Sequence, residues 1–113
     1  IIISLLLGCQ FLLLFSCNKN IAPGTPACIR KEIKNQKADW PIGSVDEYLF
    51  QGKLVYAFTP DGSVIADGST EIKDADCKWL CSVGGFGGPS IDSCNGEKFF
   101  RSAVLKRNIW MKK

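Results

Sequence analysis

Val45-Asp46-Glu47-Tyr48-Leu49-Phe50-Gln51-Gly52-Lys53-Leu54-Val55-Tyr56-Ala57-Phe58 holds two runs rich in aromatic and β-branched residues, set on either side of Gln51-Gly52. Runs of that composition flanking a short turn predict a β-hairpin. With a two-residue turn, Val45, Leu49, Leu54, Tyr56 and Phe58 share one face with Glu47, because side chains alternate along a strand. That face is then expected to cover a helix. Gln is poorly suited to positive φ, so a longer turn with a bulge is the alternative, and it would shift the register. The hairpin itself survives either choice.

Upstream, Thr25-Pro26 gives a helix start, with Thr25 as N-cap and Pro26 at the first helical position, where its missing N–H costs nothing. The helix is predicted to run to about Lys37. Ile29 and Ile33 lie one turn apart on a buried face with Cys28 beside them, while Arg30, Lys31, Glu32 and Lys34 look outward. Trp40-Pro41 ends it, since the residue before Pro avoids helical dihedrals, and Trp40 is expected to anchor the core beneath the loop. The fold class expected from these pieces is α+β: an N-terminal helix packed on a small, hairpin-led antiparallel sheet with two disulfides.

Downstream, Thr59-Pro60-Asp61-Gly62 makes a turn, residues 63–66 can form a short strand, and Asp67-Gly68-Ser69 breaks the chain again. Asp74-Ala75-Asp76 then leads into a strand, Cys77-Lys78-Trp79-Leu80-Cys81, whose alternation places both sulfurs and the indole on one face. Cys77 and Cys81 would lie about 13 Å apart on it, too far for a disulfide, so each needs a partner elsewhere. A fold-back about Gly87-Gly88 brings Cys81 opposite Cys94 and leaves Cys28 for Cys77. Cys28–Cys81 with Cys77–Cys94 is the competing connectivity. The last segment is expected to form a short helix around Phe99-Phe100, with Ala103 and Val104, and a terminal strand over Asn108-Ile109-Trp110-Met111.

The first fifteen residues are almost wholly apolar, and no charged residue occurs before Lys19. That run is short for a membrane span and suits the apolar region of a secretory signal. Three segments are therefore expected: residues 1–16 as a signal peptide cut short at its start, 17–26 as a lipidated Cys and flexible tether, and 27–113 as one small domain. The four cysteines after Cys17 are Cys28, Cys77, Cys81 and Cys94, an even number in an exported domain of about 85 residues, which reads as two disulfides. Each would contribute about 2–4 kcal/mol. The net charge of +3 is too small to argue for nucleic acid. Lys106-Arg107 and Lys112-Lys113 read as a solvated basic tail, with contact to anionic lipid as the alternative.

Chemistry is constrained mainly by what the chain lacks. With no His there is no Ser-His or Cys-His pair, and Asp46 and Glu47 point to opposite faces of a strand, so no catalytic residue is assigned. Without His a zinc site would need four thiolates, and Cys28 lacks the paired spacing of zinc ribbons, so no metal site is assigned. No cofactor is assigned either. Asp74, Asp76, Asp92 and Glu97 do not follow the ligand alternation of a calcium loop and are expected to make turns. The loop Gly84-Gly85-Phe86-Gly87-Gly88 lacks the Lys-Ser/Thr of a phosphate cradle. A disulfide-closed turn explains its glycines, and Phe86 at its tip makes Gly84, Gly85, Phe86, Gly87 and Gly88 the candidate binding loop.

Leu14-Phe15-Ser16-Cys17 resembles the lipobox of bacterial lipoproteins, in which the Cys is lipidated and becomes the mature N-terminus. More widely, Ala27-Cys28-Ile29, the hairpin from Tyr48 to Pro60, Cys81 with Gly84-Gly85, Cys94 and Ile109-Trp110 resemble an uncharacterised, domain-of-unknown-function family of small exported lipoproteins common in Bacteroidota. The resemblance covers roughly Cys28 to Trp110. That family often carries a Cys-Cys pair after the hairpin and an Asp in the glycine loop, where this chain has Pro60-Asp61-Gly62 and Phe86-Gly87-Gly88-Pro89. By resemblance to sorting signals, Asn18-Lys19 after the Cys implies an outer-membrane lipoprotein facing the periplasm. The expected function is a non-enzymatic, membrane-tethered module with an envelope protein partner or a structural role. An inhibitor or ligand-binding protein using the Phe86 loop is the alternative.

Overall fold

The computed structural model describes residues 20–62, 68–85 and 92–113. Cys17 and the signal segment, the strand expected over 63–66, and Phe86, Gly87 and Gly88 lie outside the described residues. In chain order the elements are α1 (Ala27–Lys34), β1 (Ile42–Phe50), β2 (Lys53–Pro60), β3 (Ser69–Asp74), β4 (Trp79–Gly84), β5 (Ser93–Cys94), β6 (Glu97–Lys98), α2 (Phe99–Ser102) and β7 (Val104–Met111). Five strands form one sheet in the order β4-β3-β2-β1-β7, every neighbour antiparallel, and β5-β6 make a separate ribbon.

The hairpin turn is two residues long, with Phe50 opposite Lys53. Gln51 takes φ 50 and Gly52 φ 77, the paired positive dihedrals of a type I′ turn, so Gln51 accepts the strain that argued against this register. Gln51 is held there from outside the hairpin: its amide donates to the Asn95 carbonyl at 3.0 Å. Val45, Glu47, Leu49, Leu54, Tyr56 and Phe58 do share a face, but Leu49 and Leu54, nearest the turn, are exposed.

The α+β expectation is corrected to a mainly antiparallel β fold. The helices are eight and four residues long, too short to form a layer against the sheet. Helix α1 stops at Lys34 instead of reaching Lys37, because the polar run Asn35-Gln36-Lys37 offers no further apolar residue at the 3.6-residue spacing. Its start differs too. Pro26 is the cap residue, and Thr25 makes no cap bond but donates its hydroxyl to the Ala22 carbonyl at 2.6 Å. What α1 supplies is two buried side chains, Ile29 and Ile33, in a cluster with Val45, Tyr56, Phe58, Ile109 and Trp110.

The other face of the sheet carries a second cluster, in which Phe50, Val55, Ala57, Ile72, Cys81 and Val83 meet Cys94 and Phe99. Both faces of β2 are thus buried, which is why Val55-Tyr56-Ala57-Phe58 is apolar without alternation. Residues read as part of a tether also belong to the domain. Ile21 is buried, and the Ala22 N–H donates to the Ile109 carbonyl at 2.9 Å along the outer edge of β7.

The disulfides are Cys28–Cys77 and Cys81–Cys94, closing separations of 49 and 13 residues. The strand expected over 77–81 begins at Trp79 instead. Cys77 has φ 65 in the turn between β3 and β4, and Lys73 pairs with Trp79 while Ile72 pairs with Cys81, leaving Leu80 as a bulge. That extra residue breaks the alternation. Cys81 turns inward and Trp79 turns to the opposite face, where it is 60 % exposed. The terminal strand is longer than expected, because β7 starts at Val104 directly after the four-residue α2.

Candidate functional site

An open groove of about 750 Å³ lies between the end of α1, the loop that follows it, and the face of β2 and β3 on which α1 packs. Loop residues Asn35, Gln36, Lys37 and Asp39 form one rim, and Glu32 and Lys31 project from α1. At its floor Trp40 packs edge-on against Phe58, ring centroids 6.3 Å apart, and is backed by Trp110 at 5.6 Å. Trp40 therefore combines the anchoring expected of it with a partly exposed surface in the groove.

Lys73 sits in the middle. Its ammonium lies 4.7 Å from the Phe58 ring centroid and donates to both Glu32 oxygens at 3.0 and 3.2 Å. This pair ties α1 to β3, and it places the outward-reading Glu32 on the groove wall. The Cys28–Cys77 bond makes a second tie between the same helix and the β3–β4 turn. Both walls are thus fixed to the sheet before anything binds, which lowers the ordering cost of binding. The charged lining balances: Lys31, Lys37 and Lys73 against Glu32, Asp39 and Glu71, three of each sign.

Beyond Lys73 the same face continues to Glu71, Ser82 and Trp79. Trp79 donates its indole N–H to Glu71 Oε2 at 2.7 Å and contacts Ser82 Oγ at 3.3 Å; Ser82 also hydrogen-bonds Glu71. The indole is consequently held in place while most of its surface meets solvent. Glu71 and Lys73 lie in β3, a strand that the sequence reading does not predict. The signal was present in the alternation Thr70-Glu71-Ile72-Lys73, with Thr70 and Ile72 buried between charged residues on the open face.

A second polar cluster lies inside the sheet. Glu47 is buried, accepts from the Tyr56 hydroxyl at 2.9 Å and from Arg107 Nε at 3.1 Å, and Arg107 Nη1 donates to the Pro23 carbonyl at 2.6 Å. Burial, with the hydrogen bond to Glu47 and its negative charge, pushes the Tyr56 pKa up to about 12; Arg107 opposes this in part. Tyr48 is raised by burial and by Asp46. The cluster joins β1, β2, β7 and the N-terminal segment. Arg107, read as part of a solvated tail, is thus half-buried and ion-paired, and Lys112 bridges to Asp61 at 3.2 Å.

Of the candidate binding loop, Gly84 and Gly85 are described and both take φ 81 at the end of β4. The four cysteines expected to be cross-linked are distributed as staples around the sheet and are not brought together in one site. Asp74 Oδ1 accepts N–H bonds from Asp76 at 2.8 Å and Lys78 at 2.9 Å, a turn built around one carboxylate. No group of residues that could hold a metal ion occurs among the described residues. No helix among them is long and apolar enough to cross a membrane.

No curated protein and no solved structure matches the chain. A family model described as Domain of unknown function (DUF6970) matches residues 31–112, from the outer face of α1 to the end of β7, and the chain belongs to that family.

Proposed function

We propose that the chain is an exported, lipid-anchored module of the cell envelope that acts by binding and carries out no catalysis. Its anchor is Cys17, its setting is the periplasmic face of an outer membrane, and its binding site is the groove between α1 and β3. The observation that carries this reading is the double tie across that groove, Cys28–Cys77 together with Lys73–Glu32, which holds an aromatic floor and a polar rim in a fixed relation. A cross-linked small sheet suits an oxidising compartment, and the apolar run ending in Leu14-Phe15-Ser16-Cys17 supplies a route there. The composition supports the non-enzymatic reading, because a chain without His lacks the commonest general base.

The test is a paired one on the full chain expressed in a lipoprotein-processing bacterium. Labelling with a radioactive fatty acid is expected in the wild type and lost in Cys17→Ala. An envelope component captured by the native chain is expected to be lost in Gln36→Trp, which fills the groove from its rim. Labelling that persists in Cys17→Ala sinks the anchor, and capture unchanged by Gln36→Trp sinks the groove.

A further inference from the structure

We infer that the groove and the Trp79 face together form one site for a neutral oligosaccharide, an inference that rests on the groove being the binding site. The first ground is charge. Three cations and three anions line the groove, so it offers many hydrogen-bonding groups with no net preference for either sign of ligand. A ligand that satisfies donors and acceptors alike without carrying charge is a polyol.

The second ground is the floor. Trp40, partly buried and packed edge-on against the buried Phe58, presents the rest of its ring as an apolar surface beside Glu32, Lys73 and Glu71. A pyranose ring has the matching division, with a C–H face to lie on an aromatic ring and hydroxyls around its rim to meet amides, carboxylates and ammonium groups.

The third ground is Trp79. It is 60 % exposed, yet its only polar atom is already committed to Glu71 and Ser82, so what it presents is the ring face. An aromatic ring fixed in this way loses little freedom when a ligand stacks on it. Trp40 packs against Phe58 of β2 while Trp79 stands on β4, two strands away, about 10 Å at ordinary strand spacing, which is too long for one sugar ring and suits a short chain. Lys73 and Glu71, on the intervening β3, lie between the two aromatic positions and face the same side. The Leu80 bulge is what turns Trp79 to that side, so the site depends on an irregularity of β4.

The experiment uses the full lipidated chain in phosphatidylcholine nanodiscs, which avoids detergents that carry sugars. Cellohexaose, maltohexaose, mannohexaose and chitohexaose, with their disaccharides, are titrated while tryptophan fluorescence and heat are followed; an oligogalacturonate of equal length is the anionic control. At least one neutral hexasaccharide is expected to bind saturably and more tightly than its disaccharide. Trp79→Ala is expected to weaken the hexasaccharide about tenfold and to leave the disaccharide unchanged, and Trp79→Phe to keep most of the affinity. The inference is overturned if no neutral hexasaccharide binds at millimolar concentration, if the oligogalacturonate binds better, or if Trp79→Ala binds like the wild type. Capture of an envelope protein that depends on Gln36, with no saccharide binding, overturns this inference and leaves the groove as a binding site.

Discussion

Replacing Tyr56 by Phe tests the buried Tyr56–Glu47–Arg107 cluster at its most sensitive point. The hydroxyl donates to Glu47 at 2.9 Å in a site that leaves Tyr56 only 1 % exposed, and a hydrogen bond to a charged acceptor contributes about 1.5–3 kcal/mol. Glu47 keeps its bond from Arg107 Nε at 3.1 Å, so the cost at neutral pH should be about 2 kcal/mol rather than the loss expected of an unpaired buried charge. The variant should also change the alkaline limb of the stability curve. With the folded pKa near 12 and the ordinary value at 10.0, both states hold the phenolic proton below pH 10, and Tyr56 contributes its full share there. As pH rises toward 12 the unfolded chain releases its proton first, so stability falls, by about 2–3 kcal/mol at the top of the window. The difference between wild type and Tyr56→Phe isolates the Tyr56 share. Urea melts of both proteins from about pH 9 to about pH 12 give that difference. The reasoning fails if Tyr56→Phe costs nothing at neutral pH, or if the two proteins lose stability in parallel across the alkaline window.

Other substitutions probe separate parts of the fold. Removing Cys28–Cys77 by paired Ala substitutions should cost about 4 kcal/mol and removing Cys81–Cys94 about 3 kcal/mol, from the 49- and 13-residue separations; equal costs in denaturant melts would contradict loop entropy as the main cause. Ile33→Ala, at a fully buried position of an eight-residue helix, should cost about 2–5 kcal/mol, whereas Leu54→Ser, at 43 % exposure, should change stability by no more than about 0.5 kcal/mol; thermal melts showing the reverse order would move α1 out of the core.

The parts of this fold that are legible in the sequence are those governed by neighbours. The β1–β2 hairpin follows from composition and from Gln51-Gly52, although its register had to be decided by Gln51 accepting positive φ with support from Asn95. The extent of the sheet is less visible. Strand β3 carries charge on its open face and only Thr70 and Ile72 on its buried one, so its apolar signal is two residues long. Helix α1 is shorter than the sequence predicts because Thr25-Pro26 is a good start signal while the stop lies in a polar run with no Gly and no Pro until Pro41. The groove is less visible still. Glu32 and Lys73 are 41 residues apart, and only the five-strand order sets one above the other.

Trp79 shows why a strict alternation rule misplaces a site residue. Counted by twos from Cys81, the indole belongs on the buried face with the cysteines. The two disulfides make conflicting demands on this short segment. Cys81 must point into the cluster that holds Cys94, while Cys77 must leave the sheet toward α1, which packs on the other face. A regular strand would aim both sulfurs the same way. Left-handed dihedrals at Cys77 and an extra residue at Leu80 resolve the conflict, and the change of face that lets Cys77 reach Cys28 also turns Trp79 toward the groove. The cross-link and the exposed indole are therefore two results of one bulge. Deleting Leu80 makes Trp79 and Cys81 consecutive, so a regular strand sets them on opposite faces as the bulge does; the deletion variant should keep both disulfides and an iodide-quenchable indole, and free thiols or loss of the quenchable share of tryptophan emission would refute the coupling.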